Sequence, residues 1–171
     1  MKKWMVFVSL FLALSSQAQF DEPGEKVNIG FGLGVDYGGL GGRVTVLPKK
    51  NFGLLAGLGY NFAGAGFNAG GVFRIAPDRR VVPCVYAMYG YNAVLRITGA
   101  IDVKKIYYGP SAGFGFEIKS KRNKGVHTNI ELLLPARPAA FQTDINRYRS
   151  MGVVISDPLP VSISIGYHIG L

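Results

Sequence analysis

Strict alternation between two kinds of side chain is the feature of this sequence that most limits its possible folds. From Val27 to Tyr37 the odd positions are Val, Ile, Phe, Leu, Val and Tyr, and the even positions are Asn, Gly, Gly, Gly and Asp. Successive side chains of a β-strand point to opposite faces, so this pattern predicts a strand with one apolar face and one small or polar face. The 24 glycines nearly exclude helices, because each would cost about 1 kcal/mol in a helix interior.

Eight segments of strand length follow one another between turn residues. They are 27–37, 43–46, 52–62, 67–75, 82–91, 106–118, 126–134 and 161–171. The fifth is assigned mainly by its spacing, and Pro110 in the sixth indicates a bulge or a local break in pairing. The Gly-rich stretch 38–42 lacks the Gly-Lys-Ser/Thr of a phosphate loop, so we interpret it as a turn. The sequence therefore predicts an all-β fold, a single eight-stranded antiparallel up-and-down barrel.

The chemistry of the two faces predicts which one meets lipid. The smaller face carries charged and amide side chains among its glycines: Arg43, Arg74, Glu117, Glu131, Asn28, Asn61 and Asn68. The opposite face is almost entirely aliphatic or aromatic, which is typical of a transmembrane barrel with lipid outside and a polar lumen. Aromatic residues near strand ends fit interfacial girdles: Tyr37, Phe52, Tyr60, Phe62, Phe67 and Tyr167.

The connections between the predicted strands also differ at the two ends of the barrel. Those at 48–51, 76–81 and 120–124 are compact, whereas 92–104 and 135–160 are long. Short periplasmic turns and long external loops are typical of outer-membrane barrels, and an even strand count returns the C-terminus to the periplasm.

The N-terminus has the order of regions found in a secretory signal. Lys2 and Lys3 precede an apolar run, 4–14, and the small residues up to Ala18 follow it. We therefore expect a cleaved signal peptide, 1–18, and a mature barrel, 19–171. The run is shorter than the ~20 residues of a transmembrane helix, and no cysteine follows it to mark a lipoprotein. The single cysteine, Cys84, is interpreted as a small apolar strand residue.

The charge balance is basic. The chain carries a formal charge of +9, and loss of Lys2 and Lys3 leaves 17 Lys and Arg against 10 Asp and Glu. No basic stripe interleaved with stacking aromatics is present, so nucleic acid is not an expected partner. Anionic outer-membrane lipid and lipopolysaccharide are the expected partners of an exported basic barrel.

The C-terminal octet carries the most specific motif. It reads Ser-Ile-Gly-Tyr-His-Ile-Gly-Leu, and Ser164, Gly166, Ile169 and Leu171 fill the polar, glycine and two apolar positions of a barrel-assembly signal. With this octet the chain resembles the small eight-stranded outer-membrane barrels of the OmpA/OmpX-like family, although their last residue is usually aromatic. The resemblance implies a Gram-negative outer membrane as the location and the barrel-assembly machinery as a partner during insertion.

The candidate site is a polar network in the predicted lumen. It comprises Arg43, Arg74, Glu117, His127, Glu131 and His168. The charges are expected to pair, because an unpaired charge in a narrow lumen is costly, and side chains that fill the lumen would block a wide pore. His127 and His168 with Glu131 could form a metal or proton-relay site, but they lack an orienting constellation, so we predict no metal and no cofactor.

Three functions remain open at this point. The favoured one is a monomeric, non-enzymatic barrel with a structural or surface-binding role through its outer loops, the longest of which contains Arg137 and Phe141. A lipid A-modifying enzyme would use Ser162 or Ser164 with His168, but no acid on that strand would orient the histidine. The third is a soluble periplasmic barrel that binds an apolar ligand.

Overall fold

A closed sheet forms the body of the protein. The computed structural model describes residues 26–98 and 102–171, so the predicted signal peptide and the leader after it lie outside the described residues. Eight antiparallel strands follow one another in chain order around the barrel, and the first strand pairs with the last to close it. The prediction of an all-β, eight-stranded up-and-down barrel is confirmed.

The strands differ in length around the barrel. They are β1 (Val27–Gly34), β2 (Gly39–Lys49), β3 (Phe52–Tyr60), β4 (Ala65–Arg74), β5 (Val81–Ile97), β6 (Val103–Lys119), β7 (Val126–Pro135) and β8 (Ser162–Gly170). A 3-10 turn, Val35–Tyr37, follows β1, and an α-helix, α1 (Ala139–Ser150), lies between β7 and β8.

The predicted orientation of the strand faces is confirmed. Phe31 and Leu33 point outward and are 62% and 52% exposed, whereas Asn28 and Arg43 point inward and are buried. Closing the sheet gives each strand only two environments, and the charged and amide side chains occupy the inner one.

The segment between β1 and β2 departs from the prediction. β1 ends at Gly34, and Val35, Asp36 and Tyr37 fold into the lumen, where Asp36 and Tyr37 are fully buried. The prediction that the first strand continues to Tyr37, with that side chain in the outer girdle, is wrong. Gly34 and Gly38 have φ angles of 147° and 70°, which L side chains rarely adopt, so the chain can turn inward between them.

Glycines on the inward faces of neighbouring strands make room for this inward loop (Val35–Tyr37). A Cβ on Gly57 would lie 2.0 Å from the carbonyl oxygen of Asp36, and one on Gly59 would lie 2.3 Å from the carbonyl oxygen of Tyr37. On β8, a Cβ on Gly166 would lie 1.9 Å from the Tyr37 hydroxyl. The inward loop therefore occupies the volume that these three glycines leave empty.

The start of β2 is also earlier than predicted. The stretch 38–42 is not a turn as a whole, because Gly39–Gly42 belong to β2 and pair with β1 and β3. The reversal of the chain takes place instead in the four residues 35–38, which the lumen accommodates.

The prediction that 92–104 is an outer loop is wrong, because most of this segment is strand. β5 and β6 each have 17 residues, and only 98–102 connect them. β4 pairs with β5 only as far as Gly90, and β7 pairs with β6 only as far as Ser111, so the rest of the β5–β6 hairpin projects beyond the barrel. The register shifts at Asn92 on β5, while β6 is continuous through Pro110.

The expectation that helices are nearly absent is wrong for the longest connection, which contains α1. α1 contains no glycine, and its side chains Phe141 and Ile145 pack against the projecting hairpin at Leu95 and Tyr107. The hairpin thus buries one face under α1 instead of in the lumen. In the described parts of the chain, helices that could cross a membrane are absent.

Substitution of an inward glycine tests whether the inward loop fills the lumen. We expect Gly57→Ala to lower the free energy of unfolding by about 1–3 kcal/mol, because its Cβ would meet the backbone of Asp36. The matched control is Gly42→Ala, whose Cβ would have no neighbour closer than 3.6 Å and should change stability by less than about 0.5 kcal/mol. Urea unfolding of the purified barrel measures both, and equal effects would contradict the described position of the loop.

Candidate functional site

Arg43 is the centre of the larger charged cluster in the lumen. Its Nη1 donates hydrogen bonds to Asp36 Oδ2 and to Glu131 Oε1, the latter at 2.7 Å. Its guanidinium carbon lies 4.9 Å from the centroid of the Tyr37 ring. The three side chains are almost completely buried, so a single guanidinium joins the inward loop, β2 and β7 in a region of low dielectric.

His168 on β8 adds a histidine ring to this cluster, on the side nearer the C-terminus. Its Nε2 accepts hydrogen bonds from the Tyr37 hydroxyl at 2.5 Å and from Arg43 Nη2 at 3.2 Å. A guanidinium can only donate, so Nε2 is the acceptor and the neutral ring carries its proton on Nδ1. The ring of His127 stacks on that of His168, with centroids 5.0 Å apart and 7° between the planes.

Arg74 and Glu117 form a second ion pair. Arg74 Nε donates to Glu117 Oε1 at 3.0 Å, and Arg74 Nη2 lies 2.7 Å from Glu117 Oε2. One charge-assisted hydrogen bond and one close ion contact therefore join the two side chains. The pair connects β4 and β6 across the inside of β5.

All six residues of the predicted network face the lumen. Arg43, Glu131 and His168 belong to the larger cluster, and Arg74 and Glu117 form the second pair. His127 stacks on His168 and also interacts electrostatically with Glu117. The sequence analysis missed Asp36 as a charged partner and Tyr37 as a lumen residue. A signal was present, since glycines at 34, 38 and 39 surround this segment and mark a place where the chain can leave the sheet.

An apolar layer fills the lumen beside the charged clusters. It consists of Val35, Leu55, Val72, Val82, Cys84, Tyr86, Met88 and Leu133. Cys84 is a free, buried cysteine of this layer. The lumen is therefore occupied by side chains along β3, β4, β5 and β7.

The four residues of the predicted assembly signal lie on both faces of the C-terminal strand. Ser164 and Gly166 face the lumen, where Gly166 borders the Tyr37 hydroxyl, while Ile169 and Leu171 are exposed on the outside. The Leu171 backbone also closes the barrel, because its N–H donates to the carbonyl of Val27 at 2.7 Å.

The serine–histidine pair of the enzyme hypothesis is not in contact. Ser164 and His168 are four residues apart on β8, about 13 Å along the strand, and Tyr37 and Arg43 occupy His168 Nε2. Within residues 26–98 and 102–171, no group of three or more His, Cys, Asp or Glu side chains could hold a metal ion.

A cavity of about 310 Å³ lies at the end of the barrel from which the hairpin projects. Val35 of the inward loop, Tyr91 and Phe141 contribute to its walls, and Arg137 adds a cation. Arg137 Nη2 donates to the carbonyl of Leu159 at 2.5 Å, which ties the long connection to itself over the cavity. The volume of the cavity lies at the lower end of the range of small-molecule pockets.

Asp144 attaches α1 to the projecting hairpin. Its Oδ2 accepts from Lys105 Nζ at 2.8 Å and from the Tyr107 hydroxyl at 2.5 Å. These two hydrogen bonds lower the pKa of Asp144 below its ordinary value, and the one from Lys105 has the larger effect.

Comparison with known proteins assigns no family to this chain: no family model, no curated protein and no solved structure matches it.

Removal of the central guanidinium tests the larger cluster. Arg43→Met should lower the free energy of unfolding by about 3–5 kcal/mol, because Asp36 and Glu131 then remain buried without their cation. The combined variant Asp36→Asn, Arg43→Met, Glu131→Gln should be more stable than Arg43→Met alone, since no charge is left unpaired. Urea titration measures both, and Lys49→Met on the exposed surface is the control. If Arg43→Met unfolded at the same urea concentration as the wild-type protein, the described pairing would be contradicted.

The attachment of α1 should depend on pH. Because the pKa of Asp144 is lowered, its stabilisation of the contact between α1 and the hairpin is fully present at neutral pH. This stabilisation is lost as the pH falls below about 4 and the carboxylate is protonated. Hydrogen exchange of the 139–150 amides, corrected for intrinsic rates, should therefore accelerate in acid. Asp144→Asn should accelerate exchange already at pH 7 and remove the acid-dependent step. Asp78→Asn at the opposite end of the barrel is the control and should leave this exchange unchanged.

Proposed function

We propose that this protein is an outer-membrane barrel whose eight strands cross the bilayer and whose filled lumen makes it a structural or surface-binding protein. The observation that carries the proposal is the outer surface of the barrel. Large apolar side chains on every strand are about half exposed: Ile29, Phe31, Leu33, Val44, Leu54, Leu58, Phe67, Phe73, Val85, Tyr89, Phe114, Phe116, Ile130, Leu134, Ile163, Ile165 and Tyr167. Such a continuous apolar surface around a charged interior is the arrangement that lipid stabilises.

The interior argues against a soluble barrel that binds an apolar ligand. Such a barrel would place its apolar residues around an internal cavity, whereas this lumen contains Arg43, Arg74 and their carboxylate partners. The inward loop occupies part of the remaining volume, with Tyr37 fully buried. The same filling argues for an anchor rather than a wide channel.

The projecting hairpin and α1 support a binding role at the external end. They form a rigid unit with its own buried cluster, and the cavity beside Arg137 opens next to it. Binding regions on loops held by a rigid scaffold are common in proteins.

The alternative from another class is a lipid A-modifying enzyme. It would need a nucleophile in contact with a base, and Ser164 and His168 do not provide this pair in the described conformation. Membership of the OmpA/OmpX-like barrels is part of the proposal, supported by the closed eight-stranded sheet and the C-terminal octet.

A charge placed on the outer surface separates a membrane barrel from a soluble one. In a membrane barrel, Phe31→Arg near the middle of β1 should cost about 2–4 kcal/mol of folding free energy and reduce the amount of protein recovered in the outer-membrane fraction. In a soluble barrel the same change, at a side chain 62% exposed, would be nearly neutral. Val154→Arg, in the long outer connection at a side chain 98% exposed, is the matched control and should be neutral in both. Recovery of the wild-type chain in the soluble periplasmic fraction without detergent would refute the proposal.

A further inference from the structure

One end of the barrel carries basic side chains at each of its turns and at the start of β1, and we call this set of residues the basic rim. It consists of Lys26, Lys49, Lys50, Arg79, Arg80, Lys119, Lys121, Arg122 and Lys124. These residues lie at the start of β1 and at the β2–β3, β4–β5 and β6–β7 connections, so they occur all around the circumference. Among the described residues, Asp78 is the acidic side chain at this end, and it lies 3.9 Å from Lys50.

The basic rim directly borders the apolar outer surface. Val81 follows Arg80 in sequence, Phe52 comes two residues after Lys50, and both side chains are substantially exposed. Lys49 lies opposite Phe52 in the pairing of β2 with β3, so a cation and an apolar side chain are adjacent there as well. If the apolar surface lies in hydrocarbon, as the proposed function requires, the long Lys and Arg side chains reach the depth of the lipid phosphates.

The opposite end of the barrel has no comparable excess of charge. Asp102, Asp144 and Asp157 there are within ion-pair distance of Lys104, Lys105 and Arg149, respectively. The strong charge asymmetry therefore belongs to the end with compact turns, which contains the C-terminus.

We infer that the basic rim binds the phosphate headgroups of anionic phospholipids in the leaflet around the compact turns. Cations all around the circumference match a shell of lipids, whereas docking of a single protein would require a patch on one side. Lysine and arginine near an anionic membrane surface each contribute a favourable interaction that depends on salt. This inference rests on the proposed function, since it requires the barrel to be inserted.

Spin-labelled lipids test insertion and headgroup selectivity separately. The purified barrel is reconstituted in phosphatidylcholine bilayers that contain a trace of spin-labelled phosphatidylglycerol or phosphatidylcholine. A motionally restricted component of either spectrum reports insertion. We expect phosphatidylglycerol to associate about fivefold more strongly than phosphatidylcholine, and the difference to vanish near 1 M salt, where the Debye length is about 3 Å.

Two charge-matched variants locate the effect. The rim variant Lys121→Gln, Arg122→Gln, Lys124→Gln removes three exposed cations of the β6–β7 connection and should lower the selectivity from about fivefold to about threefold, because six of the nine rim cations remain. The control variant Arg96→Gln, Lys104→Gln, Arg147→Gln removes three cations from the projecting end and should retain the wild-type selectivity. Heat-dependent gel mobility verifies that both variants fold.

The possible outcomes discriminate between the two proposals. A restricted component with equal association of both lipids, or an unchanged selectivity in the rim variant, would overturn the inference and leave the membrane barrel standing. Equal association together with rim-dependent co-sedimentation on isolated peptidoglycan would assign the basic rim to the cell wall instead. Absence of any restricted component would refute insertion and, with it, the inference.

Discussion

The volume inside a closed eight-stranded sheet is the constraint on which the rest of this structure depends. Every second side chain of every strand must fit a space that is just wide enough for side chains. In this protein part of that space is given to backbone, because the inward loop enters between β1 and β2. The neighbouring strands must then be nearly without side chains at the point of contact, which explains why Gly57, Gly59 and Gly166 face the loop. Larger residues such as Tyr86 and Leu133 fill the lumen elsewhere.

The buried charges follow from the same closure. A polar lumen surrounded by an apolar surface has little water to solvate an ion, so each charge needs a partner within reach across the barrel. Arg43 bridges two carboxylates, and Arg74 pairs with Glu117. These contacts join strands that are distant in sequence and fix the inward loop through Asp36. They act together with the hydrogen bond between Tyr37 and His168.

The two ends of the barrel differ in both shape and charge. One end has compact turns and the basic rim. At the other, β5 and β6 leave the sheet as a hairpin that buries its apolar face under α1, beside the cavity at Arg137. A barrel with unlike ends has a preferred orientation in any environment whose two sides differ, and the ends can carry different interactions without changing the lumen between them.

The sequence by itself determined the number of strands through its eight alternating segments, and it predicted which face points inward because the charged and amide side chains share the face that carries the glycines. It could not determine where β1 ends, since Val35 and Tyr37 continue the apolar positions of the strand and only the room left by distant glycines draws them inside. Nor could it determine the length of the β5–β6 hairpin, because residues such as Leu95 alternate in the same way whether their partner is the lumen or a helix. Asp36 escaped the predicted network for a related reason: its pairing with Arg43 depends on how the loop folds. The periodicity is local and is therefore readable in the chain, whereas these contacts join residues far apart in sequence and exist only once the barrel has closed.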